Sequence, residues 1–128
     1  MLESFIITLA TELELDEVPK KDPLNQFFLK LNSEQTLILK EQEEGILLRA
    51  QIGPLPEQRQ EELCLLLMKG NFLGQGTGKS VIGLQENEKC LTLSTILPYD
   101  MDYRAFKLST EEFANYLAYW QAELFNFL

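Results

Sequence analysis

The run LCLLLM at residues 63–68 constrains the fold of this chain most, because it makes one segment apolar on more than one side. Acidic residues precede the run and glycines follow it, which predicts a helix from Glu57 to about Leu73, opened by Pro56. Its two apolar faces are Leu63, Leu66 and Leu67 on one side and Leu65, Met68 and Phe72 on another. Such a helix is buried on two sides. A sheet in a domain this small covers one of them, so the other is predicted to lie at a subunit interface, with a terminal helix of the same chain as the alternative cover.

The other apolar runs predict two more helices and five short strands. Helical spacing predicts a first helix from residue 2 to about 15, and a last helix that Asp100 or Asp102 caps and that ends near Phe125. Strand-forming runs occupy residues 26–31, 36–41, 46–52, 80–84 and 90–97. Hairpin-length spacers separate the first three, and a turn at 85–89 separates the last two. The order α-β-β-β-α-β-β-α predicts a single α+β domain over residues 1–128 with a mostly antiparallel five-stranded sheet.

Composition excludes several classes of function. Twenty acidic residues against eleven basic ones give a net charge of −9, which opposes binding to a nucleic-acid backbone or to anionic lipid. The chain has no histidine, the commonest general base and transition-metal ligand. Cys64 and Cys90 lie among leucines without partners at metal-ligand spacing, so both are predicted to be reduced core thiols. The acidic start MLES lacks the basic region of a cleaved signal, and a cytoplasmic protein is expected.

The stretch LGQGTGKS at residues 73–80 raises the question of nucleotide binding. A P-loop reads G-x-x-x-x-G-K-[ST], and its first glycine lets backbone N–H groups wrap the phosphates. Leu73 stands where that first glycine should be. The stretch is also predicted to follow a helix and open a strand, the reverse of the order that a P-loop needs. The interpretation favoured is a glycine-rich connector, and neither a cofactor nor a metal is expected.

Residues 66–98, together with the last helix, carry a pattern that resembles a known family. The pattern combines a leucine-rich helix, an Asn near its end, a glycine loop, two strands, a Pro and a final helix bearing a Trp. Its matching residues are Asn71, Gly74, Thr77, Gly78, Gly83, Leu84, Leu91, Leu93, Pro98 and Trp120. It is similar to that of the class I type III secretion chaperones, the Tir-chaperone (CesT-like) family. Lys79 and Gln85 depart from it, where the family often has Gly and Asp.

The resemblance implies a small, acidic, bacterial protein that forms a homodimer, or a heterodimer with a second small chaperone. It would bind the N-terminal segment of a secreted effector or secretion-control protein and keep it non-globular, soluble and ready for export. No enzymatic activity, nucleic acid or membrane insertion is implied. The positions that match the family's dimer interface are Leu63, Leu66, Leu67 and Val81. The candidates for the apolar patch that binds the effector are Phe5, Leu9, Phe28, Ile38, Leu48 and Ile96, each with ordinary core packing as the alternative.

Two other functions remain open at the level of sequence. One is a nonenzymatic adaptor or regulator of the secretion system that has the same fold and a different partner. The other, more remote, is a nucleotide-dependent enzyme that uses the GKS segment in an unusual setting.

Overall fold

The computed structural model describes residues 1–74, 76–85 and 89–127, with the side chain of Leu73 outside that description. Within these ranges three α-helices and five strands follow in the predicted order. They are α1 (Leu2–Glu12), β1 (Gln26–Lys30), β2 (Thr36–Glu41), β3 (Ile46–Pro54), α2 (Gln60–Asn71), β4 (Val81–Leu84), β5 (Cys90–Leu97) and α3 (Tyr103–Phe125), with a 3-10 turn at Phe72–Gly74. The predicted α+β fold is confirmed. Of the predicted turn at 85–89, residues 86–88 lie outside the described part.

The strands form one antiparallel sheet in the order β1-β2-β3-β5-β4. Because side chains alternate between the two faces of a strand, the register assigns every residue to a face. The inner face carries large apolar residues that are almost completely buried: Phe27, Leu29, Leu37, Leu39, Ile46, Leu48 and Leu93. These side chains form one core with the buried residues of α1 and α3. Both terminal helices therefore cover the same face of the sheet.

The two terminal helices hold each other as well as the sheet. Phe5 of α1 stacks on Phe106 of α3, with ring centroids 5.1 Å apart. Lys107 forms an ion pair with Glu12 across the two helices, and this bond holds the pKa of the Glu12 carboxyl below its ordinary value. The Asp102 carboxylate accepts a hydrogen bond from the Ala105 N–H at 2.8 Å, which confirms it as the predicted cap of α3.

Two helices are shorter than predicted, each for a local reason. The first helix ends at Glu12 rather than near residue 15, because Glu14 adopts a left-handed backbone with φ 54°. The second begins at Gln60 rather than at Glu57, because Arg59 immediately before it is left-handed with φ 59°. Arg59 also bonds the Glu62 carboxylate at 2.8 Å and lies over the Phe127 ring. Its side chain thus joins the start of α2 to the end of the chain.

The glycine-rich connector between α2 and β4 packs tightly against α3. The Trp120 indole N–H donates to the Gly76 carbonyl oxygen at 2.8 Å, and the side chain of Thr77 is completely buried. A Cβ on Gly70 would lie 2.5 Å from the Trp120 ring, and one on Gly78 would lie 2.8 Å from the Tyr116 ring. These glycines are therefore required by the close approach of two aromatic rings. The segment that suggested a phosphate loop instead holds α2 and β4 in place.

This packing predicts that Gly70→Ala destabilises the protein. Alanine is the better helix former by about 1 kcal/mol, but the added methyl group overlaps Trp120, and overpacking a tight site costs about 1–3 kcal/mol. We expect a net loss of about 1 kcal/mol in the free energy of unfolding, measured by urea denaturation. Gly83→Ala is the matched control, because a Cβ there meets no atom within 4 Å. A Gly70→Ala variant as stable as the control would contradict this account.

Candidate functional site

The chain's most distinctive polar contact joins the end of α2 to the edge strand β4. The Asn71 carboxamide oxygen accepts from the Ile82 N–H at 2.9 Å, and its amide group donates to the Ile82 carbonyl oxygen at 3.1 Å. One side chain thus satisfies both backbone groups of Ile82, much as a neighbouring strand would. The contact fixes α2 alongside β4, so that residues of both elements form one surface.

That surface is strongly apolar and exposed. We call it the α2–β4 face. Its residues are Leu65, Met68 and Phe72 in or just after α2 and, at the β4 edge, Val81 and Leu84, which the register places on opposite sides of the strand. Each leaves at least half of its side chain in solvent, and Met68 is 69% exposed. The sequence identified Leu65, Met68 and Phe72 as the second apolar face of the helix, whereas the interface positions implied by the resemblance were Leu63, Leu66 and Leu67 of the same helix, together with Val81. The sequence did not indicate that Leu84 is exposed, because β4 is too short for an alternation of buried and exposed residues to be recognised.

The predicted interface residues occupy different environments. Val81 is 57% exposed and belongs to the α2–β4 face. Leu66 and Leu67 are half-buried and pack against the core. Leu63 is only 1% exposed and forms part of the core itself, so its side chain has no surface left for a partner. On the same helix, Leu65 and Met68 are more exposed than any of the three predicted helix positions.

A second candidate surface is the side of the sheet opposite α1 and α3, where apolar side chains lie among polar and basic ones. We call it the outer sheet face, and its strand residues are Gln26, Phe28, Lys30, Thr36, Ile38, Lys40, Leu47, Arg49, Gln51, Val81, Gly83, Thr92, Ser94 and Ile96. Phe28 pairs with Ile38, and Leu47 with Ile96, so the four side chains form two cross-strand contacts. Phe28 is 46% exposed and Ile96 is 48% exposed. Beside them, a groove runs between β1 and the loop at residues 14–20.

The predicted effector patch is divided between this surface and the core. Phe28, Ile38 and Ile96 lie together on the outer sheet face. Phe5 is half-buried on α1, on the opposite side of the sheet, where it stacks on Phe106. Leu9 and Leu48 are buried in the core and offer no surface to a partner. This agrees with core packing, the alternative given for each candidate. The alternation of residues along β3 identifies Leu47, next to Leu48, as the outward-facing leucine.

Reactive side chains are sparse in the part of the chain that the structure describes. No group of three His, Cys, Asp or Glu side chains there could hold a metal ion. Cys90 is half-buried, and burial raises the pKa of its thiol, which disfavours the thiolate. Cys64 is exposed on α2, so the prediction that both thiols lie in the core is wrong for Cys64. None of the helices in the described ranges is long and apolar enough to cross a membrane.

Comparison with known proteins supplies the family. The model of the Tir chaperone protein (CesT) family matches residues 4–121, which is nearly the whole chain. The chain belongs to the Tir chaperone protein (CesT) family. This confirms the resemblance noted in the sequence, and with it the function class of a type III secretion chaperone.

Individual relatives agree with the family in length and fold. A protein of Chlamydia pneumoniae is 29% identical over 127 residues, covering 97% of this chain and 96% of that protein. A chain of the HopA1-SchA chaperone-effector complex superposes with a TM-score of 0.72 at 14% identity, covering 94% of this chain and 93% of the other. A chain of the heterodimeric ExoU-SpcU complex from the type III secretion system of Pseudomonas aeruginosa superposes with a TM-score of 0.71 at 14% identity. The match covers 100% of this chain and 98% of the other. The fold is thus shared with a chain from a chaperone-effector complex and with a chain from a type III secretion system complex.

The role of Asn71 gives a specific prediction. Asn71→Ala leaves the N–H and carbonyl of Ile82 without their side-chain partner, which costs about 1–3 kcal/mol where the groups stay away from water. We expect lower stability and faster hydrogen exchange at the Ile82 amide, measured by NMR. Asn115→Ala is the control, because Asn115 is exposed on α3. Unchanged exchange at Ile82 in Asn71→Ala would contradict the proposed pairing.

Proposed function

We propose that this chain is a cytoplasmic chaperone of bacterial type III secretion that binds the N-terminal segment of one exported protein and keeps it unfolded until export. The observation that carries the proposal is the uncovered outer sheet face in a chain of this family. Large apolar side chains such as Phe28 and Ile96 lie there in solvent, where a partner's side chains could cover them. Two of the similar folds come from complexes whose names describe an effector or a heterodimer, which fits such a role.

The proposed mechanism is binding without catalysis. An extended segment loses conformational entropy when it binds, so it needs many contacts spread over a long surface. The outer sheet face and the groove beside β1 form such a surface, since Phe28 borders both. β1 is also an edge strand of the described sheet, and its backbone can pair with an added strand. Client residues bound in this way cannot collapse onto one another.

We also propose that two subunits associate through the α2–β4 face. This face is separate from most of the outer sheet face, and the two share only Val81 at the β4 edge. Association would remove Met68 and Phe72, the most exposed residues of this face, from water. It would also place two outer sheet faces in one particle, which lengthens the surface available to a client. A homodimer is the simpler form, and a second small chaperone could occupy the same face.

Association through this face predicts that Met68→Glu separates the subunits. Burying an unpaired carboxylate at an interface costs about 3 kcal/mol, which weakens the dimer roughly a hundredfold. Light scattering should give twice the 14.8 kDa chain mass for the unmodified protein and the single mass for Met68→Glu. Leu108→Glu is the control, because Leu108 is 57% exposed on α3 and distant in sequence from this face. A dimer unaffected by Met68→Glu would show that another surface is used, and a monomeric unmodified chain would contradict a homodimer.

Client binding predicts what co-purifies with the tagged chain from its native cell. We expect one exported protein, held through roughly its first hundred residues and protected there from proteolysis. Phe28→Ser should reduce the captured amount at least about tenfold, because central aromatic residues dominate such interfaces. Phe125→Ser is the matched control, since Phe125 is 73% exposed at the end of α3. Recovery of folded regulators alone would favour the adaptor hypothesis instead.

A further inference from the structure

The outer sheet face differs in charge from the rest of the molecule. The chain as a whole has nearly two acidic residues for each basic one. Among the strand residues that form the outer sheet face, however, Lys30, Lys40 and Arg49 are charged and none is acidic. The acidic residue nearest in sequence, Glu41, follows Lys40 but lies on the opposite side of β2 by register, whereas Glu14, Asp16 and Glu17 line the groove beside β1. The strand positions of this face are therefore basic within an acidic protein, with acidic side chains along one border.

Arg49 stands at the centre of this face. Its cross-strand partners are Ile38 on β2 and Ser94 on β5, and Leu47 precedes it by two residues on the same side of β3. The side chain is half-buried among these neighbours. No hydrogen bond or ion pair joins the Arg49 guanidinium to another residue in the described ranges. A guanidinium without a partner has unused capacity for a carboxylate, which it can bind through two parallel N–H donors.

We propose that Arg49 selects the client by binding a carboxylate, so that the outer sheet face takes an extended segment of the pattern apolar-x-acidic-x-apolar. In an extended segment every second side chain faces the same surface. An Asp or Glu facing Arg49 therefore has its neighbours two positions away facing the apolar side chains around it, such as Ile38 and Ile96. This inference rests on the proposed chaperone function and adds a rule for the sequence that is bound.

Charge favours a client segment over the other possible occupants. Lys40 is a diagonal neighbour of Arg49 on the adjacent strand and Lys30 lies on β1, two strands away, so both add positive charge to the face that an acidic peptide would approach. A nucleic acid would also meet the repulsion of a chain with net charge −9. A second copy of this chain has a more apolar surface available in the α2–β4 face. An acidic, partly apolar segment uses both properties of the outer sheet face.

The experiment uses defined peptides, because the client is unidentified. One probe is a fluorescein-labelled, end-blocked peptide of the sequence Leu-Ser-Asp-Ser-Leu-Ser-Asp-Ser-Leu, and its twin has Asn in place of each Asp. Fluorescence anisotropy with the full chain should show that the Asp peptide binds about tenfold or more tightly than the Asn twin. The preference for the Asp peptide should vanish in Arg49→Gln. It should persist in part in Arg49→Lys, which keeps the positive charge but lacks the two parallel N–H donors of the guanidinium. Arg104→Gln is the matched control, since Arg104 is exposed on α3.

The possible outcomes distinguish failure of the selection by Arg49 from failure of the proposed chaperone function. Equal affinity for the two peptides, no binding of either one, or an equal loss of preference in Arg104→Gln overturns the selection by Arg49. If the chain still captures an exported client in those cases, the chaperone function stands without this rule. If Arg49→Gln instead abolishes the dimer in light scattering, the carboxylate belongs to a second copy and the proposal is wrong. Thermal unfolding of Arg49→Gln and Arg49→Lys shows whether both variants are folded.

Discussion

The structure depends on one constraint, which is that both terminal helices cover the same face of a five-stranded sheet. Ile6 of α1 and Phe106 of α3 are completely buried in one core with Leu39 and Leu48 of the sheet. The third helix of the described residues, α2, lies beside the edge strand β4, so no described helix covers the other face. That face must remain in solvent or be covered by another molecule, and its exposed Phe28 and Ile96 are suited to the second outcome. The core thus lies on one side of the sheet, and the proposed client surface lies on the other.

The position of α2 is determined by a different set of contacts. This helix lies beside the sheet edge, joined to β4 through Asn71, and only Leu63 and Gly70 along it are buried. Tight packing of Gly70 and Gly76 against Trp120 determines where the connector runs and therefore where β4 begins. Small residues are required beside the Trp120 indole, because its ring occupies the space that a larger side chain would need. The exposed α2–β4 face is a consequence, since a helix fixed at the edge leaves its outer side uncovered.

The sequence predicted the order of the elements, their approximate bounds and the family, because hydrophobic periodicity and the motif at residues 66–98 are local signals. It placed the ends of α1 and α2 less well, since the left-handed backbone of Glu14 and Arg59 has no reliable sequence signature. It also named Leu9, Leu48 and Leu63 as surface candidates, with core packing as the alternative for Leu9 and Leu48, and all three are buried. Whether a given leucine faces the core depends on strand register and on which helix covers which face. Both are properties of the folded chain.

The same reasoning explains why Arg49 was not identified from sequence. Within the run ILLRAQI it is a single basic residue among apolar ones, which is a common pattern for a strand with one solvated face. Its significance comes from its neighbours across the sheet, because Ile38 and Ser94 lie 11 and 45 residues away along the chain and neither is charged opposite to it. A strand that merely needed solubility could carry a partnered Arg–Glu pair, which stabilises cross-strand contacts. A guanidinium without an acidic neighbour instead leaves its hydrogen-bond donors available to a ligand that carries its own carboxylate.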